Sequence, residues 1–155
     1  MLKVLFVSLG GICRAPIAEA VLKEKCKNEG LQIEVDTAAT YDWHVGEPPD
    51  DETVQFLTNE KIPFTQKESR QVKGEDLETF DFILAMDAET LGELHRLAGM
   101  RQTGTISRLL DFVVEQEEDD ILDPYMTGEF NEAFNLITIG CEHFIRYKIK
   151  RDRLL

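Results

Sequence analysis

Ser8-Leu9-Gly10-Gly11-Ile12-Cys13-Arg14 is the stretch that decides how this chain folds. Upstream of it, Val4-Leu5-Phe6-Val7 is a short β-branched and aromatic run that can be covered on both faces. Downstream, Pro16 suits the first turn of a helix, where its missing N–H costs nothing, and Ile17, Ala20 and Val21 continue at helical spacing. A strand that ends in a glycine loop at a helix N-terminus presents several backbone N–H groups and the positive end of a dipole. Successive N–H groups in such a turn form a nest for an anion, and Arg14 adds a fork of donors that matches phosphate bidentately. Leu9, Gly10, Gly11, Ile12, Cys13 and Arg14 therefore read as a cradle for phosphate, sulfate or a similar tetrahedral anion.

Outward from this loop the chain alternates strand and helix signals. Residues 3–7 predict a first strand and 16–29 a first helix closed by Gly30; 32–38 predict a second strand. A helix is expected over 50–59 with Asp50 or Asp51 as its cap, and a short helical turn over 75–79. A third strand is expected over 81–85, a helix over 88–98 stopped near Gly99, and a fourth strand over 105–109. Phe130, Phe134, Ile137, Cys141 and Phe144 follow the spacing of one helix face, the inward face of a terminal helix. Repeated strand–helix–strand units predict an α/β fold, a parallel sheet with helices on both faces. Ligands of such sheets bind beyond the carboxyl ends of the strands, where strand order reverses. The Ser8–Arg14 loop lies at such an end.

The 155 residues are the length of one domain, with no linker, repeat or low-complexity stretch, so a single domain over 1–155 is expected. Thirty acidic against 17 basic residues leave a net charge of −13. That balance argues against nucleic acid and anionic membrane as partners, and it makes Arg14 a local exception in a field that repels phosphate. Residues 115–120, with five acids among six, read as an exposed loop. There is no apolar run of membrane-spanning length and no signal peptide, which favours the cytoplasm. Cys13, Cys26 and Cys141 fit neither a disulfide framework nor a metal-ligand spacing. With His44, His95 and His143 scattered as surface or packing residues, no metal and no cofactor is expected.

The loop resembles the signature of the low-molecular-weight protein tyrosine phosphatases, Cys-x5-Arg-Ser followed by Pro on a strand–loop–helix turn near the N-terminus. The likeness covers nearly the whole chain. Asp36-Thr37-Ala38-Ala39-Thr40 with Trp43 and Gly46-Glu47-Pro48-Pro49-Asp50 is similar to the family's second segment. Phe80 to Asp87 is similar to its third strand, and Asp123-Pro124-Tyr125 to the loop that brings its general acid. The resemblance implies a four-stranded parallel sheet in the order 2-1-3-4. It also implies hydrolysis of a phosphotyrosyl protein or aryl phosphate, with position 8 as nucleophile, Arg14 holding the phosphoryl oxygens and Asp123 protonating the leaving group. Trp43 and Tyr125 are then walls that sandwich an aromatic ring, and Asp87 either orders the loop or caps the next helix.

The chain departs from this pattern where the chemistry sits. Ser8 stands at the position of the family's cysteine, Gly11 at that of its loop asparagine, and Ala15 at that of the serine whose hydroxyl supports the thiolate. A thiolate is accessible near neutral pH at a helix N-terminus, whereas a serine hydroxyl needs an adjacent base. Severely impaired hydrolysis is the expectation, with a non-catalytic phosphotyrosine- or anion-binding pseudophosphatase as the alternative. The protective disulfide that Cys13 makes with the nucleophile in the family is closed off by Ser8. Arsenate reduction, the sister activity, requires a thiol at position 8. Phosphoarginine hydrolysis goes with threonine where this chain has Ile12, so Ile12 inclines the choice to phosphotyrosine.

Overall fold

A computed structural model describes residues 1–114 and 120–155. Four strands, β1 (Leu2–Ser8), β2 (Ile33–Ala39), β3 (Phe82–Ala85) and β4 (Thr105–Arg108), form one parallel sheet in the order β2-β1-β3-β4. The helices are α1 (Arg14–Asn28), α2 (Asp51–Asn59), α3 (Gly74–Thr79), α4 (Ala88–Ala98), α5 (Pro124–Thr127) and α6 (Phe130–Phe144). The α/β fold and strand order are those expected, with element ends shifted by one or two residues. Four features were not expected: α1 begins at Arg14, a 3₁₀ turn (Leu109–Phe112) follows β4, α5 is present, and α6 runs on into a π-helical turn over Ile145–Lys150. Among the described residues no helix is long and apolar enough to cross a membrane.

Side-chain alternation explains the two layers. Leu2, Val4 and Phe6 of β1, with Phe82 and Leu84 of β3, point into a core closed by α1, α2 and α6. Leu5 and Val7, with Ile83 and Ala85, point the opposite way onto Leu77, Leu94 and Ala98 of α3 and α4. Both faces of β1 are thus apolar, which is why its sequence is a continuous hydrophobic run. On the expected inward face of α6, Ile137, Cys141 and Phe144 are buried, while Phe130 and Phe134 are half-buried, the first stacked on Phe56 of α2 and the second meeting it edge to face. Cys26 and Cys141 are buried free thiols in the larger core, in keeping with a packing role.

The strand order places the functional end of the molecule. From β1 the chain moves to one side for β2 and to the other for β3, so the carboxyl ends of β1 and β3 flank the reversal. Ser8 ends β1, and Met86-Asp87 follow β3. The two ends are tied by the Met86 amide donating to Val7 O at 3.1 Å.

Candidate functional site

The Ser8–Arg14 loop, Trp43, His44, Asp87, Glu89 and residues 120–126 (Pro124 aside) enclose a cavity of about 360 Å³. All the residues expected at the site are among its lining: Ser8, Leu9, Gly10, Gly11, Ile12, Cys13, Arg14, Trp43, Asp123 and Tyr125. The loop is buried. Ser8 and Arg14 are each only 2% exposed, and Ile12, Cys13 and Ala15 are closed off as well.

Backbone geometry makes the cradle. Gly11 adopts a left-handed φ of +76°, the conformation for which glycine carries no Cβ penalty. Its N–H donates to Ser8 Oγ at 3.1 Å. Among the described residues, the amides of Gly10, Ile12 and Cys13 have no acceptor. Buried amides are otherwise paired almost without exception, so this unpaired group stands out. Cys13 precedes the first turn of α1, and burial pushes its thiol up to about 12. It is a neutral packing group in this loop.

Arg14 is fixed before any ligand arrives. Its Nη1 donates to Asp87 Oδ2 at 2.5 Å and to the carbonyl of Ile121 at 2.8 Å, while Nη2 stands 3.9 Å from Asp123 Oδ2. Nε and Nη2 make no hydrogen bond among the described residues. Asp87 does both things proposed for it: Oδ2 holds Arg14 and Oδ1 accepts the Thr90 amide at 2.7 Å, capping α4. Burial raises the Asp87 pKa. The charge of Arg14 and the bonds from Thr90 and Arg14 outweigh that effect and hold the carboxyl below its ordinary value.

Asp123 caps α5, accepting the Tyr125 amide at 3.0 Å, and its side chain remains 28% exposed. The aromatic residues stand at the mouth. Trp43 is 62% exposed and stacks on Tyr41 (centroids 4.6 Å apart, planes at 25°), so it both packs on its own loop and lines the cavity. Tyr125 meets His44 edge to face at 5.6 Å.

Sequence reasoning missed part of the site. His44, read as a surface or packing residue, lines the cavity, and its ring leaves no room for a Cβ at Gly10. Of the acidic stretch 115–120, residues 115–119 lie outside the described residues. Asp120, read as solvated, accepts the Ala88 amide at 2.9 Å and lies 3.6 Å from Arg108. Ser69 was not singled out at all, yet its hydroxyl donates to the Gly10 carbonyl at 3.1 Å. Only the proximity of a segment distant in sequence brings it there.

A family model described as low molecular weight phosphotyrosine protein phosphatase matches residues 3–154. The low molecular weight protein-tyrosine-phosphatase YfkJ of Bacillus subtilis (strain 168) is 45% identical over the full length of both chains. The low molecular weight protein-tyrosine-phosphatase PtpA of Staphylococcus aureus (strain MRSA252) is 34% identical, covering 99% of this chain and 98% of its own. Among solved structures, YfkJ from Bacillus subtilis superposes with a TM-score of 0.93 at 43% identity, covering 99% of this chain and 97% of its own. Drosophila arginine phosphatase superposes with a TM-score of 0.89 at 36% identity, covering 95% and 98%.

Proposed function

The chain belongs to the low molecular weight phosphotyrosine protein phosphatase family, and on that premise we propose that it binds the phosphoryl group of a phosphotyrosyl protein or aryl phosphate while hydrolysing it very poorly. In this reading one domain over 1–155 keeps every group that holds the phosphate and lacks the one that attacks it. The observation that carries it is the environment of Ser8. Its Oγ accepts the Gly11 amide, and no carboxylate or imidazole is hydrogen-bonded to it among the described residues. Among the described residues nothing is therefore placed to take the hydroxyl proton, and a serine without a base is a weak nucleophile.

The catalytic sequence that the residues support has two displacements. Oγ of Ser8 attacks phosphorus in line, the aryl oxygen leaves with the proton of Asp123, and the serine proton passes to solvent. Arg14 and the loop amides hold the equatorial oxygens throughout, so positioning and electrostatics do most of the work. Water then attacks the phosphoserine with Asp123 as base. A serine phosphate ester is a more stable intermediate than a cysteinyl phosphate, so one slow transfer stalls the site. The same holding groups support a second reading, a pseudophosphatase that retains phosphotyrosine or another anion without turnover. Ile12, buried in the cavity wall and without a hydroxyl, inclines either reading toward phosphotyrosine over phosphoarginine.

Hydrolysis of para-nitrophenyl phosphate separates these outcomes. This chain should turn over at least about a thousandfold more slowly than its Ser8→Cys variant, the scale of loss for an essential nucleophile. Turnover within tenfold of that variant sinks the proposal. Ser8→Cys should itself be incomplete, because the buried methyl of Ala15 offers no hydrogen bond to a thiolate, and such a bond to a charged group is worth about 1.5–3 kcal/mol. Adding Ala15→Ser should raise the rate and move the pH–rate profile to lower pH.

A further inference from the structure

We propose that Ser69 is a positioning residue that fixes the Gly10–Gly11 peptide, so that the Gly11 N–H points into the anion site. In a trans peptide the carbonyl and the next N–H point in opposite directions, and no peptide bond among the described residues is cis. Ser69 Oγ holds the Gly10 carbonyl from outside the cradle at 3.1 Å, and the Gly11 N–H consequently turns inward, to Ser8 Oγ at 3.1 Å. Glycine on both sides makes this the peptide of the loop most free to flip. A clamp from outside is needed there. Gly11 also makes the clamp possible: a Cβ at that position would lie 2.7 Å from Ser69 Oγ and 3.1 Å from Ala39 Cβ.

Ser69 is delivered to this point by a well-fixed strap between α2 and α3. Its own amide donates to Glu47 O at 2.7 Å and its carbonyl accepts the Gly46 amide at 2.9 Å. One residue on, Arg70 O accepts the Ala39 amide at 2.8 Å, and Val72 N–H donates to Ala39 O at 2.8 Å. Charges secure the same strap. Lys67 Nζ reaches Glu19 at 2.6 Å and Asp36 at 2.7 Å, and Arg70 bridges Asp36 at 3.2 Å and Asp76 at 2.8 Å. Ser69 is 8% exposed and sits where rigid backbone meets a flexible diglycine. Gly11 and Ser69 thus form a pair: removal of the side chain at 11 leaves the space that the hydroxyl from 69 occupies and uses. An asparagine side chain at position 11 would compete with the Ser69 hydroxyl for one space.

The test is a cycle of Ser69→Ala, Gly11→Asn and the double variant, read by amide NMR in the native chain. Two quantities are measured: hydrogen exchange of the Gly11 amide without ligand, and the dissociation constant of inorganic phosphate from loop shifts. Ser69→Ala should speed Gly11 exchange and weaken phosphate binding by about three- to tenfold, the scale of one hydrogen bond. Gly11→Asn alone should weaken binding more, and Ser69→Ala should restore part of it in that background, so that one substitution has opposite signs in the two backgrounds. Unchanged exchange and affinity in Ser69→Ala, or effects that simply multiply, overturn the proposal. The affinity arm rests on the anion reading of the loop, while the exchange arm does not. If the unaltered chain binds no phosphate, that reading fails and the Gly11 exchange rate alone decides the role of Ser69. Shifts report on folded molecules, and Gly11 exchange is read against the core amides of β1 and β3, so a global loss of stability, which speeds all of them, is told apart from a local effect at Gly11.

Discussion

The floor of the cavity, residues 8–14, and its rim, residues 120–126, meet at Arg14 but are held by different means. The floor is buried, and its polar side chains are committed: Ser8 to Gly11, Arg14 to Asp87 and Ile121. The rim is anchored by backbone at its first residues, where the Ile121 amide donates to Met86 O at 2.9 Å and Asp120 accepts from Ala88. Beyond that anchor Leu122, Tyr125 and Met126 face solvent, and Asp123 is held by the cap of a four-residue helix. A pre-formed floor suits a group of fixed tetrahedral shape. A looser rim suits whatever the phosphoryl group is attached to. The two regions should therefore fail differently when altered, the floor losing binding and fold together and the rim losing only selectivity or rate.

Arg14→Ala is the change with the largest expected effect. It removes two charge-assisted bonds to the anion, which at about 1.5–3 kcal/mol each lowers sulfate or phosphate affinity by about a hundredfold or more. It also strands Asp87 without its partner, and breaking a buried pair costs about 3–5 kcal/mol. Calorimetric titration and a denaturation midpoint read the two losses. Unchanged anion binding would falsify the cradle. Acid should weaken the same corner. Because the folded Asp87 pKa is held below its ordinary 3.8, its contribution is present above that value and is lost as pH falls through the lower, folded one. Stability should accordingly hold down to about pH 4 and decline below it, with a smaller decline in Asp87→Asn.

Asp123→Asn probes the rim and should act on rate alone. In the Ser8→Cys background, hydrolysis of an alkyl phosphate is expected to fall by about a hundredfold, the lower end of the range for a general acid. Inorganic phosphate affinity should change by less than about threefold, since Asp123 Oδ2 is 3.9 Å from Arg14 and makes no bond to the loop among the described residues. A loss of anion affinity as large as that of Arg14→Ala would show that floor and rim are one structure, and the contrast between them would go.

How much of this was legible beforehand follows the same division. The floor is local in sequence, so strand, glycine turn, arginine and helix could be read in order along one stretch. Asp87 and Asp123 were legible as helix caps and turn residues. That one carboxylate both caps α4 and holds Arg14 was not, because it depends on two oxygens pointing to partners 73 residues apart in one case and three in the other. Ser69, His44 and Asp120 carry no local signal of their role. The first is brought in by pairing of the strap with Ala39 and Val45, and no periodicity encodes such isolated bridges. The π-helical end of α6 was equally hidden, since its buried Ile145 and Ile149 continue a helical apolar spacing.

Trp43→Ala has the smallest expected effect and sharpens the contrast most. Trp43 stacks on Tyr41, and the Tyr41 hydroxyl lies 3.4 Å from Glu89 Oε1, another residue of the cavity wall. The indole is thus held at the mouth by one neighbour while most of its surface stays in water. An aromatic pair contributes about 0.5–1.5 kcal/mol beyond area burial, and half of that is the reasonable share for so exposed a ring. Affinity for phenyl phosphate should fall by about two- to fourfold in Trp43→Ala, while inorganic phosphate, which never reaches the mouth, should bind as before. Competition between the two ligands in the native chain and the variant gives the ratio directly. An equal loss for both would mean that Trp43 supports the floor through Tyr41 or His44 and is no wall for a ring. No loss for either would leave Tyr125, the other aromatic ring of the lining, as the surface on which the aromatic group rests.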